Sequence, residues 1–161
     1  MLTEDEKIFY QRNLTSKVNY SLNQIAKKAG VKNFDKFHNA GYRGLYNDEI
    51  AGYRGLYNDE IADDIAKGKG LRYREDILDN MEIDELIANL FRISQTEQRL
   101  KRDKVDTEKK ACTTHNKIGK IVRKAIKEAD GTMPEELLTP QKSSKQLEKE
   151  KNKQLKNIKI N

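Results

Sequence analysis

Tryptophan is absent from this chain, cysteine occurs once (Cys112) and proline twice (Pro134 and Pro140). A single thiol excludes an intramolecular disulfide and fits a reducing compartment. Scarce proline and abundant Lys, Glu, Ala, Leu and Gln favour helix, and no run alternates apolar and polar residues well enough for a strand. With only four Phe the core is expected to be thin. No window approaches the roughly 18 consecutive apolar residues of a membrane span. The N-terminus is acidic (Glu4, Asp5, Glu6) with no apolar stretch behind it, which argues against a signal peptide. These absences predict a cytoplasmic protein with no membrane partner.

What is present in quantity is charge. Charged residues make up 36% of the 161 and the net charge is +6, unevenly spread. Residues 1–96 carry a small negative excess, and residues 97–127 hold 11 basic side chains against 4 acidic ones. The final 21 residues add 7 Lys and 2 Glu. The positive field therefore lies in the C-terminal half, where it could meet phosphate or an acidic protein surface.

One 11-residue unit is laid down twice without substitution: AGYRGLYNDEI fills 40–50 and again 51–61. Structural repeats drift apart in sequence, and arrays need about three or more units to bury a shared core. Two identical copies point to a recent tandem duplication.

Helix signals divide the rest. Thr3 with Glu6 makes a capping box for a helix carrying Ile8, Leu14, Val18, Leu22, Ile25 and Ala29 toward Gly30. Asn33 caps a short helix through Phe34 and Phe37 that ends near Gly41. The GYRGLYN half of each repeat reads as loop, with Asp59–Lys67 as the helix after the second copy and the first copy bulging into solvent. Ile77, Leu78 and Met81 mark a short helix. Asp84 would cap a longer one that buries Leu86, Ile87, Leu90, Phe91 and Ser94. Thr107 opens the clearest amphipathic helix, with Ala111, His115, Ile118, Val122, Ala125 and Ala129 on its apolar face. Pro134 suits a first helical turn. The expected fold is all-α: a small irregular helical domain over 1–140, with the duplication at 40–61, then a basic, flexible, low-complexity tail over 141–161.

The basic residues are the best chemical signal. Arg99, Lys101, Arg102 and Lys104 precede the Thr107 helix, and Lys117, Lys120, Arg123, Lys124 and Lys127 project from its polar side. Such a ridge can track a phosphate backbone. A solvated face chosen for solubility is the plainer account, because no aromatic residue is interleaved to stack on bases. Tyr53, Arg54 and Tyr57 offer loop contacts to a nucleic acid, although tyrosines in such a turn more simply cover a core. Cys112 and His115 lie one turn apart, but with no other Cys and with His38 distant in sequence no metal site is expected. The carboxylate pairs Asp48–Glu49, Asp59–Glu60 and Asp63–Asp64 read as helix-dipole partners. No nucleophile–base set can be assembled, so neither catalysis nor a cofactor is expected.

Five stretches resemble the bacterial DNA damage-inducible protein D family: EDEKIFYQRN at 4–13, FHNAGYRGLYN at 37–47, ANLFRISQTEQRLKRD at 88–103, ACTTHNKIGKIVRKAI at 111–126 and GTMPEELLTPQKSSKQLE at 131–148. Members of that family typically carry an additional N-terminal domain similar to the Bro or phage antirepressor type, and a single GYRGLYN segment. Met1 falls just before EDEK, so the reading is the C-terminal half of a homologue from a truncated or split gene. The resemblance implies a non-enzymatic role in the SOS response, acting on RecA-type recombinase filaments or single-stranded DNA. The alternative is a helical protein-interaction fragment, a homo-oligomer without nucleic-acid affinity, or a remnant gene product.

Overall fold

The computed structural model describes residues 1–46, 65–66, 70, 77–137 and 144–160. Among these residues there are five α-helices and no strand: α1 (Glu4–Lys28), α2 (Phe34–Tyr46), α3 (Ile83–Arg102), α4 (Glu108–Glu128) and α5 (Ser144–Ile160). Two 3₁₀ turns, Leu78–Asn80 and Pro134–Glu136, complete the set. The all-α expectation holds.

Two αα-hairpins with the same turn chemistry make up the body. The α1 helix begins with the reciprocal capping box: Glu6 N–H donates to Thr3 Oγ1 at 3.2 Å and Thr3 N–H to Glu6 Oε2 at 2.8 Å. It ends where Gly30 takes a left-handed φ of 95° and Val31 N–H reaches back to the Ala26 carbonyl. Asn33 Oδ1 then accepts from Lys36 N–H and starts α2. The second hairpin repeats each step. Lys104 is left-handed at 48°, Val105 N–H bonds the Leu100 carbonyl, and Thr107 Oγ1 accepts from Lys110 N–H to start α4.

The hairpins lie side by side with like helices paired in the same direction. Arg12 Nε donates to the Met81 carbonyl at 3.0 Å and Ser21 Oγ to Glu97 Oε1 at 2.9 Å, so α1 and α3 are parallel. Along α2 and α4, Phe37 meets His115, Ala40 meets Asn116 and Leu45 meets Arg123. That pair is parallel too. Glycines set its closeness: a Cβ on Gly119 would lie 2.6 Å from the Gly41 carbonyl oxygen and 2.8 Å from Leu45 N. A Cβ on Gly44 would run into the Asn116 carbonyl. At the hairpin tips the two turns touch, and Glu108 Oε1 accepts from both Lys32 N–H (3.0 Å) and Asn33 N–H (2.7 Å).

Two apolar clusters fill the interior. Tyr42, Leu45, Tyr46, Leu78, Met81, Leu86, Ile118 and Val122 form one, and Leu22, Ala26, Val31, Phe37, Ile93, Leu100 and Ala111 the other. Burying the larger of these side chains stabilises by about 1.5–3 kcal/mol each.

Several local expectations need correction. The first repeat copy is neither loop nor bulge as far as Tyr46. It continues α2 beyond Gly41, and Gly41, Tyr42, Gly44, Leu45 and Tyr46 are all buried. Its glycines, read as helix breakers, are what let α2 approach α4. On α3, Ile87 and Phe91 are about half exposed, while Glu85, Asn89, Arg92 and Thr96 take the inner positions. On α4, Ala125 and Ala129 face solvent as the helix runs past its partner. The helix expected around Ile77–Met81 is a single 3₁₀ turn. Asp84 does not cap α3, whose N-cap is Glu82, without a side-chain bond. Residues 144–160 form a helix, and Leu147 is buried. Of the expected helix Asp59–Lys67, only Ile65 and Ala66 are described, both helical. The rest of it, Tyr53, Arg54, Tyr57 and the three carboxylate pairs lie outside the described residues.

Candidate functional site

The basic residues singled out from the sequence fall on one side of α4 and at the adjoining hairpin tip. Lys117, Lys120, Lys124 and Lys127 are exposed along α4, opposite the buried Ala111, Ile118 and Val122. At 1.5 Å per residue, the span from Lys109 to Lys127 is about 27 Å. Lys101, Arg102 and Lys104 are exposed at the tip, and Arg99 is partly covered. Arg99 and Arg102 share Asp103 (3.0 and 3.1 Å), and Lys101 pairs with Glu97 at 3.0 Å. Such pairs, each with at least one exposed partner, are worth little and leave the field positive.

Arg123 does not belong to this ridge. Its guanidinium donates to the Leu45 carbonyl at 3.0 Å and forms a two-pronged pair with Glu135 at 2.9 and 2.7 Å. The expectation that it is a free surface cation is corrected: it ties α4 to the end of α2 and to the 3₁₀ turn at Pro134.

A second constellation, unread in the sequence, lies in the core between the apolar clusters. Arg92 has no exposed surface, and neither do Glu85, Asn89, Thr96 and His115. The Arg92 guanidinium sits 4.8 Å from the centre of the Tyr42 ring, donates to Asn89 Oδ1 at 3.0 Å and meets His115 Nε2. Because guanidinium only donates, His115 Nε2 accepts, and its Nδ1–H donates to the Phe37 carbonyl at 2.8 Å. Tyr46 hydroxyl donates to Glu85 Oε1 at 2.5 Å, and Asn89 Nδ2 donates to that same hydroxyl at 3.1 Å. Arg92 Nε has no hydrogen-bond partner among the described residues.

The electrostatics follow from burial. Desolvation, then the Arg92 charge, hold His115 well below its usual pKa, and the same two causes bring His38 down to about 4. Burial, then the Glu85 charge, push the Tyr46 phenol up. Histidine, tyrosine and carboxylate together resemble acid–base machinery. Arg92, Glu85 and His115 have no exposed surface, however, and their hydrogen bonds join α2, α3 and α4. A signal for it exists in the polar residues spaced at helical intervals on α3 (Glu85, Asn89, Arg92, Thr96), but polarity at such positions ordinarily marks the outer face. His38 and His115 come within 6.2 Å between ring centres despite their separation in sequence. No group of three or more His, Cys, Asp or Glu suited to a metal occurs among the described residues. No helix among them is long and apolar enough to cross a membrane.

Comparison with known proteins supplies the family. No solved structure matches the chain. The DNA damage-inducible protein D of Escherichia coli (strain K12) is 48% identical over 150 residues, which cover 91% of this chain and 51% of that protein. The chain thus spans about half the length of this curated relative. The family model of the DinD C-terminal domain matches in two pieces, residues 2–51 and 48–147, which meet inside the duplicated segment. The two pieces overlap at residues 48–51, where the first copy of the 11-residue unit ends and the second begins. On both grounds, the chain belongs to the DinD C-terminal domain family, which is consistent with a role in the response to DNA damage.

Proposed function

We propose that this chain is a non-enzymatic module of the DNA damage response that binds single-stranded DNA, free or carried in a recombinase filament, through the basic side of α4 and the adjoining tip. One observation carries the reading. Lys109, Lys110, Lys117, Lys120, Lys124 and Lys127 occupy one exposed side of a helix whose other side is packed. Pairs with Glu128, 3.9 Å from Lys124, and with Asp106, 3.3 Å from Lys110, are exposed and screen this charge only weakly. A row of like charges repels itself, and a phosphate backbone relieves that repulsion while releasing counterions. The family's name supplies the setting.

The test is binding of a fluorescently labelled oligothymidine of about 30 nucleotides, followed by anisotropy at about 50 mM salt, where phosphate contacts are strongest. Replacing Lys117, Lys120, Lys124 and Lys127 by Gln should weaken binding at least tenfold without changing the circular dichroism spectrum. Equal affinity in wild type and variant would sink the reading.

A second reading rests on apolar exposure. Tyr10 (66%), Leu14 (39%), Ile87 (53%) and Phe91 (48%) are exposed on the parallel α1 and α3. Such side chains suit association with another copy, and sedimentation insensitive to salt and DNA would favour that account.

A further inference from the structure

The parallel arrangement of the two hairpins places their turns against each other, and both turns are rich in lysine. The α1–α2 turn carries Lys27, Lys28, Lys32 and Lys36, all exposed. In sequence they belong to the half of the chain with a slight negative excess, so nothing there marks them out. In the fold they join Lys101, Arg102, Lys104, Lys109 and Lys110 of the α3–α4 turn. The junction is tight: a Cβ on Gly30 would lie 2.8 Å from the Asp106 carbonyl oxygen, and Glu108 is bonded to the backbone of Lys32 and Asn33.

Resting on the reading above, we infer that the α1–α2 turn is a second half of the nucleic-acid site, so that a single strand runs from the α4 ridge across both turns. Three observations support this. First, three of the tip carboxylates are engaged within it, and exposed Asp35 leaves the α1–α2 turn with four lysines against one carboxylate. Glu108 is taken up by two backbone N–H groups, Asp103 by Arg99 and Arg102, and Asp106 by Lys110. Lys27, Lys28, Lys32 and Lys36 have no carboxylate within ion-pair distance among the described residues. Second, Glu108 is held below the usual carboxylate range by the Asn33 and Lys32 N–H groups, with Lys36 and Lys32 charges adding to them. The ionised Glu108 ties the two turns together through those N–H groups, and the lysines around it still outnumber the carboxylates of the tip. Third, a shallow depression of about 540 Å³ opens beside the second turn, lined by Asp103, Lys104, Val105, Lys109, Lys110 and Thr113 among others, with Asp103 already paired to Arg99 and Arg102. It lies where the α4 ridge meets the α3–α4 turn, on the path that the inference gives the strand.

Three variants of the full chain, each with four fewer positive charges, test the inference against the same oligothymidine. One carries Lys27, Lys28, Lys32 and Lys36→Gln, the second Lys117, Lys120, Lys124 and Lys127→Gln, and the third Lys149, Lys153, Lys156 and Lys159→Gln on α5 as a charge-matched control. Every lysine–phosphate pairing removed should flatten the slope of log K against log salt by about 0.7. The first variant should therefore lose about tenfold or more in affinity and about 2–3 in slope, well beyond the α5 control, with unchanged urea midpoint. A turn variant indistinguishable from the α5 control, alongside a weakened ridge variant, would overturn the inference and keep the proposed function. No binding by the wild type at low salt would overturn both.

Discussion

Arg92 is the residue on which most of the interior depends. Removing a buried donor leaves the acceptors it served desolvated and unpaired, at a cost of about 1–3 kcal/mol each. Arg92→Ala should lower stability by that order in urea unfolding, because Asn89 and His115 would be left without their donor. The histidines add a pH dependence. Both are neutral in the fold and titrate below the usual value of 6.5, so the unfolded chain binds more protons in that range. Their contribution is complete above the unfolded value of 6.5 and is lost as the pH falls toward about 4, the folded value for His38. The urea midpoint should fall steadily between about pH 7 and pH 4.5, and replacing His38 by Asn should make that fall shallower. Lys104 shows a residue kept against local preference. Its left-handed φ of 48° suits glycine, which fills the matching place at Gly30. Lys104→Gly should stabilise by up to about 1 kcal/mol in the same urea assay while weakening DNA binding. A loss of stability would show that the lysine holds the turn itself.

Among the elements, α2 shows how packing overrides propensity. Its segment AGYRGLY has two glycines within one short stretch and reads as loop on local grounds. The close approach to Gly119 on α4 reverses that reading, because only glycine leaves room for the crossing backbones. Gly119→Ala should cost about 3 kcal/mol or more, since backbone atoms of α2 rather than a movable side chain stand in the way. The first copy is now placed on this helix as far as Tyr46. The first copy is held by what precedes it: Phe37 is fully buried and bonded to His115, and His38 Nε2 meets Asn23 Oδ1 at 2.7 Å. Removing either copy leaves one and the same sequence, in which FDKFHN still feeds the packed GYRGLY. Urea unfolding of that shorter chain should show stability within about 1 kcal/mol of the parent, since every packed residue of α2 is retained. A large loss would mean that both copies contribute to the core.

At the scale of the whole molecule, local signals are legible in the sequence and distant ones are not. Thr3 with Glu6, Asn33 and Thr107 announce their helices, because a cap is decided within a single turn. The buried face of α3 is misread from sequence, because Ile87 and Phe91 are apolar and Arg92 and Glu85 are not. Only the partners brought by α2 and α4 make the polar set the inner one. Arg123 looks like one cation among many until Glu135 and the Leu45 carbonyl close around it. The basic ridge on α4 is readable from helical spacing. Its continuation through Lys27–Lys36 is hidden, because the parallel pairing of hairpins joins stretches far apart in the chain. That pairing gives the molecule one basic end from two turns.

The central claim is that this surface holds a phosphate backbone, and the salt dependence of wild-type binding tests it most directly. With about six to eight lysines of the ridge and tip engaged, log K for single-stranded oligothymidine should fall against log salt with a slope of about −4 to −6. Affinity that is absent at low ionic strength, or unchanged between about 50 and 200 mM salt, would contradict the account.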